Sequence, residues 1–138
     1  MSHFFISSSG ATAVEFAIVA LPLFLFIFGT IEVGRLFWVS TVVGELAQMG
    51  ARCIGLPEPS CSSDGVPNIL QTTSFIQNSA ATRAVLISAE NVDVILNDSQ
   101  CVGVGQFARV TVSKELITAI GTFNFSQSAC HVLQPASS

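Results

Sequence analysis

Charge is scarce in this sequence. Only 10% of its 138 residues are Asp, Glu, Lys or Arg, against about 25% in an ordinary soluble domain. The five basic residues, Arg35, Arg52, Arg83, Arg109 and Lys114, are scattered, and the net charge is -4. That leaves no basic stripe of the kind nucleic acid requires. A catalytic constellation is lacking too. His3 and His131 are the two histidines, and neither belongs to a Ser/His/Asp or Cys/His arrangement. Ser8-Ser9-Gly10 is not a nucleophile elbow. Gly103-Val104-Gly105 precedes a strand pattern, so it lacks the strand-to-helix context of a phosphate cradle. No Cys-x-x-Cys pair occurs, and His131 directly beside Cys130 is badly spaced for joint ligation, so no metal is expected. The expectation is a non-enzymatic protein with no cofactor, no metal, no nucleic acid and no small-molecule substrate. The acids Glu58, Asp64, Glu90, Asp93 and Asp98 read as solvating groups on loops and strand edges.

What the chain has instead is apolar surface, which makes up 50% of its residues and is concentrated at one end. Phe16 to Ile31 carries no charge at all. A bilayer core takes about 20 apolar residues as helix, and Glu32 and Arg35 lie where the far interface would be. Three residues apart, these two share a helical face and can partly neutralise each other. One membrane-spanning helix is therefore expected, beginning near Ser9 or Ala11, where Ser7, Ser8 and Ser9 offer N-cap hydroxyls, and continuing to about Arg52. Pro22 should kink or loosen it. Such a helix would reach roughly 60 Å at ~1.5 Å per residue, so the more polar part from Ser40 to Arg52 must leave the membrane as a stalk. Phe37 and Trp38 fit an interfacial aromatic belt or packing beneath the rest of the chain.

All four cysteines follow this helix. An even count on one side of a membrane span points to an oxidising compartment. Three pairings are possible. Proximity favours Cys53–Cys61, which leaves Cys101–Cys130.

Gly55 to Pro67 is rich in Pro, Ser and Gly and marks a boundary. Beyond it, Ile69, Thr73, Ile76, Ala80, Ala84 and Ile87 recur at three- and four-residue steps, which predicts an amphipathic helix. Alternation over 91–97 and over Ala108–Ser113 predicts two strands, and Phe123 and Phe125 a third. Leu116, Ile117 and Ile120 read as a short helical connection ending at Gly121. The fold class is α+β: a long N-terminal transmembrane and stalk helix, then a small head with one helix and a short antiparallel sheet, packed on the outer half of the long helix. So small a core needs the helix and the disulfides to hold it.

Glu15 is the most informative residue. A carboxylate at the edge of a membrane-length segment costs on the order of 3 kcal/mol on insertion scales, so it needs a partner or a task. Closeness to the interface and to the positive end of the helix dipole lowers that cost. Five residues before it, Gly10 ends a short polar leader that contains no Lys or Arg. A secretory signal places its apolar core before the cut. Here the apolar core follows, so cleavage after Gly10 would leave the helix on the mature chain, with a free ammonium on Ala11. That ammonium, on a neighbouring subunit, could compensate Glu15.

Gly10-Ala-Thr-Ala-Val-Glu15-Phe16, the Leu21-Pro22-Leu-Phe-Leu-Phe-Ile-Phe-Gly29 segment and Ile31-Glu32-Val-Gly-Arg35 together resemble the TadE-like pseudopilins, minor subunits of tight-adherence (Tad) pilus systems. The resemblance covers about residues 10–52. It implies cutting between Gly10 and Ala11 by a prepilin peptidase, with Glu15 needed for processing or subunit registration. It also implies helix–helix packing that involves Glu15, Phe16, Pro22, Glu32 and Arg35. The expected organisation is a leader at 1–10, the transmembrane and stalk helix at 11–52 and an exported disulfide-containing head at 53–138. The expected location is the bacterial inner membrane, single-pass, with the head in the periplasm or outside and incorporation into an extracellular pilus. Expected partners are the membrane, the prepilin peptidase, other pilin or pseudopilin subunits and the Tad assembly platform. The second reading is an uncleaved single-pass protein whose exported head is a binding module.

Overall fold

In a computed structural model of the chain, the described residues are 9–56 and 58–134. The leader residues Met1 to Ser8, including His3, lie outside them, as does Pro57. Helix α1 spans Ser9–Gly55 and includes Pro22. Strands β1 (Ser62–Ser63) and β2 (Val66–Pro67) follow, then helix α2 (Ile69–Ala81), a 3₁₀ turn at Ala89–Asn91, and strands β3 (Val92–Leu96), β4 (Phe107–Thr118) and β5 (Gly121–Val132). The chain is α+β, as its patterning predicts. By its internal contacts it divides between Arg35 and Leu36.

In the N-terminal unit, α1 is apolar on every side and exposed on nearly every side. Phe16, Leu21, Phe24, Leu25, Phe26 and Phe28 are all more than half exposed, and the rings of Phe24 and Phe28, one turn apart, stack at 6.3 Å.

In the C-terminal unit the same helix becomes amphipathic. Val39, Val42, Val43, Leu46, Ala47, Ala51 and Ile54 form a buried stripe at three- and four-residue steps, while Thr41, Glu45, Gln48 and Arg52 face out. This stripe packs with Ile76 and Ala80 of α2 and with Val94, Ala108, Val110 and Val112 of the sheet. Gly50 permits the closest approach. A β-carbon there would fall 2.6 Å from Ile76 Cδ1 and 3.2 Å from Val110 Cγ1.

The sheet is antiparallel in the order β3-β4-β5. Its register places Val94 opposite Val110 and Val92 opposite Val112, so the alternating valines share one buried face. The β1–β2 hairpin turns on Asp64 (φ 52°) and Gly65 (φ 75°), with Ser63 opposite Val66. Two consecutive positive φ values make a type I′ turn, for which Asp-Gly is a favoured pair.

Two expectations need correction. The α2 stripe does not continue to Ala84 and Ile87. The helix ends at Ala81 because Ala84 takes φ 57° and the amides of Ala84 and Val85 donate to the carbonyls of Ala81 and Ala80, a Schellman closure. Its buried positions are Thr72, Ile76 and Ala80. The second correction concerns Leu116, Ile117 and Ile120, which form no helix. Thr118 pairs with Gly121, so these residues end β4 and turn into β5.

Candidate functional site

Glu15 lies on α1 in the N-terminal unit. The helix starts at Ser9, and no acid stands in its first turn. Glu15 is therefore beyond the reach of the strongest dipole stabilisation, which fades within one turn. Among the described residues Glu15 has no hydrogen-bond or ion-pair partner, and it is exposed among exposed apolar neighbours, Val14 and Phe16 included. Gly10 and Ala11 occupy the opening turns of the same helix. The junction residues and the lone acid are thus carried on one continuous helix.

At the other end of this unit, Arg35 Nη1 lies 3.2 Å from Glu32 Oε1. In water such an exposed i,i+3 pair stabilises a helix by only about 0.2–0.5 kcal/mol. Its effect here is to reduce the charge displayed at the end of the apolar run. Pro22 lies inside this half of the helix and has no amide to donate to the Ile18 carbonyl one turn earlier.

One helix among the described residues, Thr12–Gly55, is long and apolar enough to cross a membrane. The TadE-like protein family model matches residues 10–52 of the chain. Residues 10–52 are similar to the TadE-like family. This TadE-like segment contains Gly10, Ala11, Glu15, Phe16, Pro22, Glu32 and Arg35, and it continues through the buried stripe of the C-terminal unit to Arg52. No curated protein and no solved structure matches the chain. The one long apolar helix fits a single-pass membrane anchor.

The C-terminal unit is held by two disulfides. Cys53 is joined to Cys61, tying the last turn of α1 to the segment before β1. Cys101 is joined to Cys130, tying the β3–β4 loop to β5. The Gly55 carbonyl at the end of α1 accepts from the Gln134 amide at 2.9 Å, which satisfies one of the helix's last carbonyls. His131, placed beside Cys130 in the sequence, has its ring against Gly55.

Sequence reasoning missed one polar cluster. Asp98, read above as a solvating loop acid, has a side chain only 6% exposed, and its Oδ2 sits 2.7 Å from Arg109 Nε. Asp98 Oδ1 accepts from the Gln100 amide at 2.7 Å, and Arg109 Nη1 donates to Gln100 Oε1. The cluster fixes the base of the loop that Cys101 staples. Nothing in the spacing of Asp98 and Arg109 announces it, because only the β3–β4 register brings them together.

Phe37 and Trp38 are exposed rather than part of the core. The Trp38 indole N–H donates to the Arg83 carbonyl at 3.3 Å.

Proposed function

We propose that this chain is a minor pilin or pseudopilin of a Tad (type IVc) pilus. It is inserted in the inner membrane by α1, cut between Gly10 and Ala11 by a prepilin peptidase, and assembled with other pilin subunits by helix–helix packing. The observation that carries this reading is the exposed apolar run of α1 from Phe16 to Ile31, preceded by a carboxylate, Glu15, that is unpartnered among the described residues and stands five residues after Gly10, inside a segment similar to the TadE-like family. A soluble monomer rarely exposes so large an apolar surface, so the helix needs lipid or other helices around it. In either setting Glu15 is costly alone, and the ammonium that cleavage creates on Ala11 of a neighbour is the natural counter-charge. Glu32 and Arg35 supply a second polar contact at the far end of the packed segment.

The two disulfides suit an exported, oxidising location for the C-terminal unit, where it is free to meet other pilins, the assembly platform or a surface. Catalysis has no part in this mechanism. The test is Glu15→Ala in cells that make the pilus. Membrane insertion should persist, while the protein disappears from sheared pilus fractions and surface adherence falls. Normal incorporation and adherence would overturn the role given to Glu15.

A further inference from the structure

The C-terminal unit exposes apolar side chains from three separate segments at one end. Trp38 and Phe37 are the first, with Phe37 74% exposed. They stand two and three positions after Arg35, where the apolar run of α1 has just finished.

The second segment is the loop after α2. Its Arg83 carbonyl receives the Trp38 indole N–H, so the loop lies beside Trp38. Within it, Val85 and Ile87 turn into the core while Leu86 between them points out, 76% exposed. The Arg83 side chain leaves in the opposite direction. Its guanidinium reaches Glu45 at 3.4 Å and Met49 Sδ at 3.4 Å, which are two and three turns farther along α1. The loop therefore keeps its charge away from the Trp38 end and leaves a leucine there.

The third segment is the tip of the β4–β5 hairpin. Gly55 lies against His131 and Val132, and Gly44 lies against Gln127. The eleven residues from Gly44 to Gly55 span about 16 Å of helix, and the four to five residues from Gln127 to His131 and Val132 span about 15 Å of strand. Strand β5 thus runs alongside α1 and in the same direction. From Gln127 back to Gly121 is about 20 Å of strand, whereas from Gly44 back to Leu36 is about 12 Å of helix. The hairpin tip consequently reaches the Leu36 end of this unit, and there Ile117 is 74% and Ile120 70% exposed. Lys114 and Glu115 stand on the same hairpin and offset each other in charge.

We propose that this end of the C-terminal unit rests in the headgroup layer of the bilayer that α1 enters, with Phe37, Trp38, Leu86, Ile117 and Ile120 as its lipid contacts. The occupant of the surface is lipid because Phe37 and Trp38 follow in the chain directly after the apolar run read as the membrane anchor. An aromatic pair with a hydrogen-bonded indole and isolated aliphatic side chains is also what an interface accommodates. The proposal rests on the reading of α1 as a membrane anchor. It adds that the C-terminal unit sits down on the membrane before assembly instead of standing clear of it. Assembly then has to lift this face from lipid.

The test uses the full chain in vesicles of phosphatidylethanolamine and phosphatidylglycerol, part of the lipid brominated to quench fluorescence. Trp38 is the single tryptophan and reports on the anchor directly. Leu86→Cys and Ile120→Cys, labelled with an environment-sensitive dye while both disulfides stay oxidised, report on the proposed contacts. Leu70→Cys and Val102→Cys, also exposed, serve as controls from α2's first turn and the stapled loop. The expected result is quenching of Trp38, with quenching of the dyes at 86 and 120 at least twofold stronger than at 70 and 102. Quenched Trp38 with equal, weak quenching at all four dyes would overturn the proposal and leave the anchor intact. Unquenched Trp38, together with release of the protein by alkaline carbonate, would overturn the anchor reading itself.

Discussion

One helix serves two environments in this protein, and its two halves differ in how their apolar residues are arranged. From Phe16 to Ile31 the side chains are apolar all round and exposed all round. From Val39 to Ile54 the apolar residues keep to one stripe, and that stripe is buried against α2 and the sheet. A helix that is hydrophobic all round is meant to be surrounded, whereas one with a stripe has a single face to cover. The contrast teaches that the chain itself completes the second half and leaves the first to other molecules, lipid or neighbouring helices.

The sharpest way to break this comparison is to remove the same side chain from each half. Leu46 is fully buried and Leu25 exposed. Leu46→Ala should cost the C-terminal unit about 3 kcal/mol, while Leu25→Ala, distant and without shared partners, should cost it less than about 0.5 kcal/mol. Urea unfolding of the full chain in detergent, followed by Trp38 fluorescence, reads both. Equal losses would mean that the two halves are not independent.

A smaller effect is expected at Arg109. Replacing it with Leu leaves the Asp98 carboxylate buried without its partner, which should cost about 2 kcal/mol given that the arginine retains some solvent contact. The double variant with Asp98→Leu should recover much of that loss. A double variant as unstable as the single one would show that the pair only fills space.

Smallest is Ala84→Gly. Alanine at φ 57° is held in a conformation that glycine adopts freely, so the substitution should raise stability by about 0.5–1 kcal/mol. The same urea unfolding measures it, and a decrease would argue against the Schellman closure of α2.

These sites also show what the sequence does and does not disclose. The uncharged run, the stripe and the alternating valines are local patterns with a fixed period, and each maps directly onto an element. Ala84 is different, since a left-handed alanine carries no signature of the kind glycine does, and the helical spacing runs past it to Ile87. Leu116, Ile117 and Ile120 mislead for a related reason. An apolar residue on the outer side of a strand breaks alternation and mimics helical spacing, and Ile117 and Ile120 are both exposed. If that end meets lipid, the broken alternation has a physical cause. The Asp98–Arg109 pair depends on strand register and was out of reach. Of the candidate site, Gly10, Glu15 and the Glu32–Arg35 pair are all legible as residues. Their role depends on neighbours outside this chain, which no local pattern encodes.

Everything proposed for the exposed half depends on one bond, that between Gly10 and Ala11. Mass spectrometry of the protein purified from cells with an active prepilin peptidase reads it directly. The account predicts a mature chain that begins at Ala11 and retains all of the apolar helix. A population consisting only of uncut chain, with residues 1–10 still attached, would contradict it and favour a permanently anchored binding module.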